Sequence, residues 1–207
     1  MAENNEINSI ANIEFTTDQE GNVKVKGKQS IYSASFYFDD FYDEAIITKF
    51  IKKTEKLIRE SFEYHNYIKT IMTAFPELNN DNINSNMTNL DVDIELHHYP
   101  LNLFQIVETV MNYHVIHGDR FTSFSLALEI LQLHYQNKIG LVPLDKTNHE
   151  LAHNYSIFLS SKQIFGNRKE FVKQYAEGLT PDAKSTIQKV EELTENQQAS
   201  DFLGIYR

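Results

Sequence analysis

Two pairs of histidines carry the strongest chemical signal in this sequence of 207 residues. His97 and His98 follow the alternating apolar stretch 90–96, and His149 and His153 lie four residues apart. Residues four apart in a helix share one face, and imidazole binds borderline divalent ions. Because a strand carrying His97 can lie beside that helix, the spacing predicts one metal site with His97, His149 and His153 as ligands.

A site of this kind suits the hydrolysis of phosphodiester bonds. Such chemistry needs few protein ligands, because the ion must keep open positions for a phosphate and a water. The sequence contains no cysteine, which excludes disulfides, thiol catalysis and cysteine-based zinc sites and is typical of a reducing compartment. The expected cofactor is one divalent ion: Zn²⁺, Mg²⁺, Mn²⁺ or Ni²⁺.

The order of these motifs over residues 92–154 resembles the HNH (His-Asn-His) endonuclease family, whose core is a β-hairpin crossed by one helix around a metal. The resemblance implies that His97, His149 and His153 bind the metal and that His98 is the general base. It implies cleavage of nucleic acid, with DNA as the expected substrate. The His-His-x-Pro and Leu-Val-Pro-Leu arrangements also resemble those of bacteriophage proteins, which predicts a phage-encoded protein.

The sequence departs from the family pattern at two places. The family usually has Asn or His about nine residues before the first helix ligand, where it orients the base, and Gly140 stands there. Gly140 also lies 42 positions after His98, so the two helices predicted between them form an insertion at 101–137. Neighbouring strand residues point to opposite faces. His98 therefore reaches the site only if the chain turns before Pro100, which we expect.

Two other functions remain open. His149-Glu150-Leu-Ala-His153 is a literal HExxH sequence, the zinc metalloprotease motif, in which Glu150 would be the base. The polar residues before it and Pro143 are unlike the long helix of those enzymes. Alternatively, the chain is an interaction protein on an HNH scaffold, in which the metal only stabilises the fold and catalysis is weak.

The charge distribution gives limited support for nucleic-acid binding. The formal net charge is −10, and nucleic-acid affinity comes mostly from cationic side chains that neutralise phosphates. Residues 139–176 carry five Lys or Arg against three Asp or Glu, a local net charge of +2. The candidates for phosphate contact are Lys146, Asn148, Lys162, Arg168 and Lys169.

Local patterns predict four segments: a flexible start (1–10), an N-terminal region (11–78), an HNH-like domain (88–195) and a tail (196–207). The N-terminal region contains a β-hairpin at 13–26 and one long or two consecutive amphipathic helices at 39–75. These helices must cover their aromatic stripe by packing on the second half or by binding another protein. The Asn-rich loop 79–86 is the expected hinge.

The predicted fold class is α+β, mostly helical, with a ββα-metal core. In the second half we expect strands at 90–96 and 139–143 and helices from 103, from 124, from 147, at 168–177 and at 181–194. A Thr147–Glu150 capping box is expected to open the site helix. The other histidines (His65, His114, His117 and His134) are expected to be packing or surface residues. The polar start and the lack of an 18-residue apolar run predict a cytoplasmic protein, in the host if phage-encoded.

Overall fold

The structure is a computed structural model that describes residues 13–17, 23–27, 43–84, 88–90, 92–153, 157 and 159–202. Side chains are described within these ranges except at 13–17, 23–27, 153 and 197–202. The predicted flexible start, the turn of the first hairpin and residues 39–42 of the predicted amphipathic run lie outside the described residues.

The described chain is mostly helical with two small antiparallel sheets, so the predicted α+β class is correct at this level. The strands are β1 (Ile13–Thr17), β2 (Val23–Gly27), β3 (Ile94–His98) and β4 (Leu141–Asp145). The seven described α-helices are α1 (Glu44–Arg59), α2 (Phe62–Ala74), α3 (Leu103–His117), α4 (Ser123–Tyr135), α5 (Lys146–His153), α6 (Arg168–Gln174) and α7 (Pro181–Phe202). Short 3-10 turns occupy Pro76–Asn79, Ser161–Gln163 and Ala176–Gly178.

The amphipathic run predicted at 39–75 forms two helices, because each has its own N-cap. The Asp43 carboxylate accepts a hydrogen bond from Ala45 N at 2.8 Å, and the Ser61 hydroxyl accepts one from Tyr64 N at 3.1 Å. A side chain that satisfies an early helical N–H marks a helix start. The first helix therefore begins at Glu44, and a new one starts after Ser61.

The first two helices and the predicted insertion share one hydrophobic core. Apolar side chains of α1 and α2 pack with those of α3 and α4, and Phe50 meets Phe121 edge to face with ring centroids 5.9 Å apart. The fully buried side chains include Ile51, Ile58, Leu126 and Ile130. In the described structure Phe50, Tyr64 and Tyr67 are thus covered by the second half of the chain, whereas Phe62 is 79% exposed.

Both strands of the second sheet begin later than the sequence predicts. Leu90 is 93% exposed, and pairing starts where Ile94 lies opposite Asp145. Asp145 is the last residue of β4 before α5 begins, so no β4 residue remains to pair with Val92 or Asp93. The alternation at 90–96 therefore marks a strand only in its second half.

The remaining predicted elements agree with the structure except in their ends. β1 and β2 pair antiparallel from Ile13↔Gly27 to Thr17↔Val23, as the hairpin prediction requires. The helix predicted at 181–194 continues to Phe202. No helix in the described part of the chain is long and apolar enough to cross a membrane.

Candidate functional site

The alternation of β3 sends its two histidines to opposite faces. His97 pairs with Val142 and His98 with Leu141, so the strand stays extended through both residues. Both side chains are nearly buried, at 7% and 4% exposure. The turn expected before Pro100 does not occur between the two histidines, because both are still held by the pairing with β4.

His97 meets His149, as the metal-site prediction requires. Their ring centroids lie 4.7 Å apart with 63° between the ring planes. Nδ1 of His149 donates a hydrogen bond to Oε2 of Glu95. Glu95 stands two residues before His97 on the same face of β3. The structure thus assembles two imidazoles and one carboxylate from β3 and α5.

This arrangement fits the first two ligands of a metal site. Two imidazoles bound tetrahedrally to one ion at Zn–N distances near 2.0 Å have ring centroids about 5 Å apart. A carboxylate that accepts from Nδ1 fixes the ring and leaves Nε2 as the metal-binding nitrogen, a common arrangement for ligating histidines.

The third predicted ligand is His153, whose backbone lies one turn further along α5. Its side chain lies outside the described part. Among the described side chains, no three of the His, Cys, Asp and Glu groups form a metal-binding cluster by themselves. A complete site therefore depends on His153 or another ligand outside that set.

The predicted base, His98, is not brought to His97 and His149. Its Nε2 lies 3.0 Å from Nε2 of His134 in the interior. Its ring stacks on that of Tyr64, with the ring centroids 6.1 Å apart. Nδ1 of His134 donates to the carbonyl oxygen of Ile130 at 2.7 Å, so Nε2 of His134 carries the lone pair and His98 donates to it. This assigns one tautomer to each ring.

Both rings of this interior pair are held neutral. Burial, followed by the neighbouring His134, lowers the pKa of His98 well below its usual value. Burial lowers the pKa of His134 to about 4. Removing water from a cationic ring costs free energy, and the neighbouring imidazole adds to that cost. The expectation that His134 is a packing residue is in keeping with this position.

The start of α5 is fixed by two carboxylates, and the sequence predicted neither of them for this role. Oδ1 of Asp145 accepts from Asn148 N at 2.9 Å, so Asp145 caps the helix and the Thr147 capping box is wrong. Asp81 is 1% exposed, and its Oδ2 accepts from Asp145 N at 2.6 Å. Asp81 lies in the loop predicted as a hinge, where nothing in the sequence separates it from its polar neighbours.

Comparison of the whole sequence with family models decides its relationship to other proteins. The model of the bacteriophage G278-like virion proteins matches residues 1–203. The chain belongs to this family. The match confirms the prediction of a phage protein. No curated protein and no solved structure matches the chain.

The residues predicted to contact phosphates have different surroundings in this member of the virion-protein family. Lys146, Lys162 and Lys169 are exposed. Arg168 forms an ion pair with Glu191, and the Asn148 amide donates to Asp145 and Asp81. Arg168 and Asn148 thus stabilise the fold through these contacts. Of the three exposed lysines, Lys146 is the nearest in sequence to His149, and it is the first residue of α5.

Gly140, which replaces the Asn or His of the HNH pattern, has a steric reason to be glycine. A Cβ atom there would lie 2.2 Å from the Tyr99 carbonyl oxygen and 2.9 Å from Cγ2 of Ile164. The same backbone approach lets Tyr99 N donate to Gly140 O at 3.0 Å. An orienting side chain cannot be placed at this position without moving the chain that follows β3.

We expect Gly140→Ala to lower the free energy of unfolding by about 1–3 kcal/mol, the usual cost of overpacking. Urea denaturation of the variant and the wild type measures this. Gly118→Ala is the control, because Gly118 has a φ of 70° but no atom within 4 Å of an added Cβ. It should cost about 1 kcal/mol from backbone conformation alone. Equal stability of Gly140→Ala and the wild type would contradict the steric explanation.

Proposed function

We propose that this phage protein is a metal-dependent HNH-like endonuclease that hydrolyses nucleic acid, with DNA as the expected substrate. The observation that carries the proposal is the contact of His97 on β3 with His149 on α5, next to the antiparallel β3–β4 pair. Two antiparallel strands next to a helix, with one histidine from each in contact, support this proposal. One divalent ion would be held by His97, His149 and His153.

The surroundings of the histidines suggest how each residue would act. A bound divalent ion would polarise the phosphate and lower the pKa of a coordinated water. Glu95 holds the proton of His149 on Nδ1, which would leave Nε2 free to bind the ion. Lys146 is exposed at the start of the same helix and would contact a phosphate as a point charge.

The base assigned to His98 requires a rearrangement. Its neutral form is the one that accepts a proton, but its ring donates to His134 on the other face of β3. To act as the base, His98 would have to leave this partner and turn toward His149. A variant of His98 therefore tests catalysis and core packing together, and His149 is the cleaner position for the first experiment.

We expect His149→Ala to lose bound metal and nicking activity, because it removes one imidazole and the partner of Glu95. Elemental analysis after dialysis and a plasmid-nicking assay with Zn²⁺, Mg²⁺, Mn²⁺ or Ni²⁺ measure the two effects. Metal retention by the wild type should be lower in acid than at neutral pH, because only a neutral imidazole binds a metal ion.

The matched control is His65→Ala, which removes an exposed histidine on α2. It should keep both the metal and the nicking activity of the wild type. Equal and negligible metal in the wild type and in His149→Ala would remove the metal site from the proposal. Metal binding without cleavage of DNA or RNA would exclude the proposed endonuclease activity.

A second candidate function is an interaction protein of the virion in which a metal, if bound, only stabilises the fold. The interior position of His98 favours it, since the predicted base already has a partner in the core. The description of the family as virion proteins favours it too. Metal content that depends on His149 together with no nicking would select this function.

The metalloprotease alternative has less structural support. The HExxH residues 149–153 are the last five residues of the eight-residue helix α5. His149, the first of them, already donates a hydrogen bond to Glu95. Zinc proteases place this motif within a long helix. Casein cleavage that is lost in Glu150→Gln would favour the protease, and wild-type nicking by Glu150→Gln would exclude Glu150 as the base.

A further inference from the structure

Asp81 is a buried carboxylate that joins three segments of the chain. Its Oδ1 accepts from the backbone of Ile83 at 2.9 Å and of Asn84 at 2.5 Å, which closes a local turn. Its Oδ2 accepts from Asp145 N at 2.6 Å, and the Asn148 amide nitrogen lies 3.3 Å from both oxygens. One side chain thus holds the loop after the first 3-10 turn, the end of β4 and the first turn of α5.

The residue next to Asp81 fixes the same loop to other parts of the structure. Asn82 N donates to Pro143 O at 3.0 Å, and its side-chain amide donates to Gln163 O at 2.9 Å. Gln163 returns a hydrogen bond to Asn82 O at 3.2 Å. These contacts make the loop around residue 81 a rigid support for the sheet in the described structure.

The contacts of Asp81 act on the position of α5 rather than on its formation. Asp145 already caps the helix, so α5 has its own start signal. Asp81 instead binds the backbone of that cap and the side chain of Asn148, the residue directly before His149. A ligand site needs its side chains held within about 0.5 Å of the productive geometry, which requires support behind the ligands.

We propose that Asp81 is a positioning residue that sets the placement of α5 and, through Asn148, the orientation of the His149 ring toward Glu95 and His97. The role of Asp81 in metal binding rests on the proposed function. The placement of His149 itself is a property of the metal-free protein. The residue lies outside the segment that resembles the HNH family.

The test replaces Asp81 by Asn, which has the same shape. The remaining Oδ1 can still accept from the turn at Ile83 and Asn84, but the new NH₂ group faces Asp145 N and the Asn148 amide, so donors oppose donors. Asn82→Ala is the matched control. It removes a side-chain hydrogen bond of the same loop to Gln163 and leaves every contact of Asp81 in place.

The first measurement uses ring ¹H–¹⁵N correlations of the histidines in the full-length, metal-free protein, which report the protonated nitrogen of each ring. In Asp81→Asn we expect the His149 signals to lose the pattern of a proton on Nδ1, while the His134 signals stay unchanged. In Asn82→Ala both sets should match the wild type. Unchanged His149 signals in Asp81→Asn would overturn the proposal. A change of all histidine signals together indicates a general loss of fold, and the variant Asn148→Ala then decides.

The second measurement is the affinity for Zn²⁺, determined by competition with a chromophoric chelator. Loss of support behind a ligand typically costs 10–100-fold in metal affinity, and we expect a loss of at least tenfold in Asp81→Asn. If the wild type binds no Zn²⁺ but the His149 signals change as expected, the proposed function fails and the positioning role stands.

A second variant decides the case in which Asp81→Asn does not fold. Asn148→Ala removes the amide that connects Asp81 to α5 and introduces a residue with high helix propensity. It should change the His149 signals in the same direction and keep those of His134. Wild-type His149 signals in a folded Asn148→Ala protein would overturn the proposal.

Discussion

A chain that begins at residue 88 is expected to remain unfolded, although it contains all four histidines of the predicted site. The reason is the shared core: α1 and α2 cover the apolar faces of α3 and α4. The side chains that such a fragment lacks are large and nearly or fully buried: Phe50, Ile51, Leu57, Ile58, Tyr67 and Ile71. Circular dichroism and the dispersion of amide signals of fragment 88–202 measure the effect.

The magnitude of the loss supports this expectation. Burial of one large apolar side chain contributes about 1.5–3 kcal/mol, so six of them contribute roughly 10 kcal/mol. The net stability of a domain is about 5–15 kcal/mol. The fragment also lacks Asp81 and with it the hydrogen bond to Asp145. Few domains of this size are stable enough to remain folded without these six side chains and this hydrogen bond.

The control is a chain of residues 43–202, which keeps Asp43 and the described core. It should give the circular dichroism of a folded, mostly helical protein. A folded, cooperatively melting fragment 88–202 would contradict the expectation. A folded fragment would also support the hinge predicted at 79–86 and the idea that the N-terminal helices form a separate module that binds a partner protein.

The stability of the metal-free protein should fall as the pH drops below about 6.5, because of His134. Burial lowers the pKa of this ring to about 4, against about 6.5 in an unfolded chain. The unfolded state therefore takes up a proton first, so the stabilising effect is complete above pH 6.5 and is lost toward pH 4. Between pH 7 and pH 5 the loss is on the order of 2 kcal/mol.

Urea denaturation at several pH values in the presence of a chelator measures this effect. The variant His134→Gln can still accept a hydrogen bond from His98 but does not titrate, so its stability should fall less between pH 7 and pH 5. The control His65→Gln makes the same change at an exposed position of α2 and should reproduce the wild-type slope. Parallel curves for the wild type and His134→Gln would contradict the explanation.

The sequence predicts the local parts of the candidate site well because they depend on short-range periodicity. The spacing of His149 and His153 places both on one helix, and the alternation along β3 separates the faces of His97 and His98. The same alternation puts Glu95 on the face of His97, a signal that is already present in the sequence. Which face of β3 meets α5 depends on long-range packing, and this decides the surroundings of His98.

The partners that come from distant segments have no such local signal. His134 lies in the predicted insertion, and a histidine on an apolar helix face looks the same whether it packs against a leucine or another histidine. Asp81 stands among asparagines, and a polar loop has the same composition whether it is a linker or a buried hydrogen-bonding support. Gly140 could be identified as unusual, but the Tyr99 carbonyl that explains it is visible only in the folded chain.

The pairing of β3 with β4 has a consequence for the order of folding. Forty-two residues, which form α3 and α4, separate the end of β3 from the start of β4. Closing a loop of that length costs conformational entropy before any strand hydrogen bond forms, and contacts distant in sequence form slowly. The α3–α4 hairpin, whose contacts are local, can form first and shorten the effective distance between the strands. The contact between His97 and His149 would then form late, after the docking of these two helices.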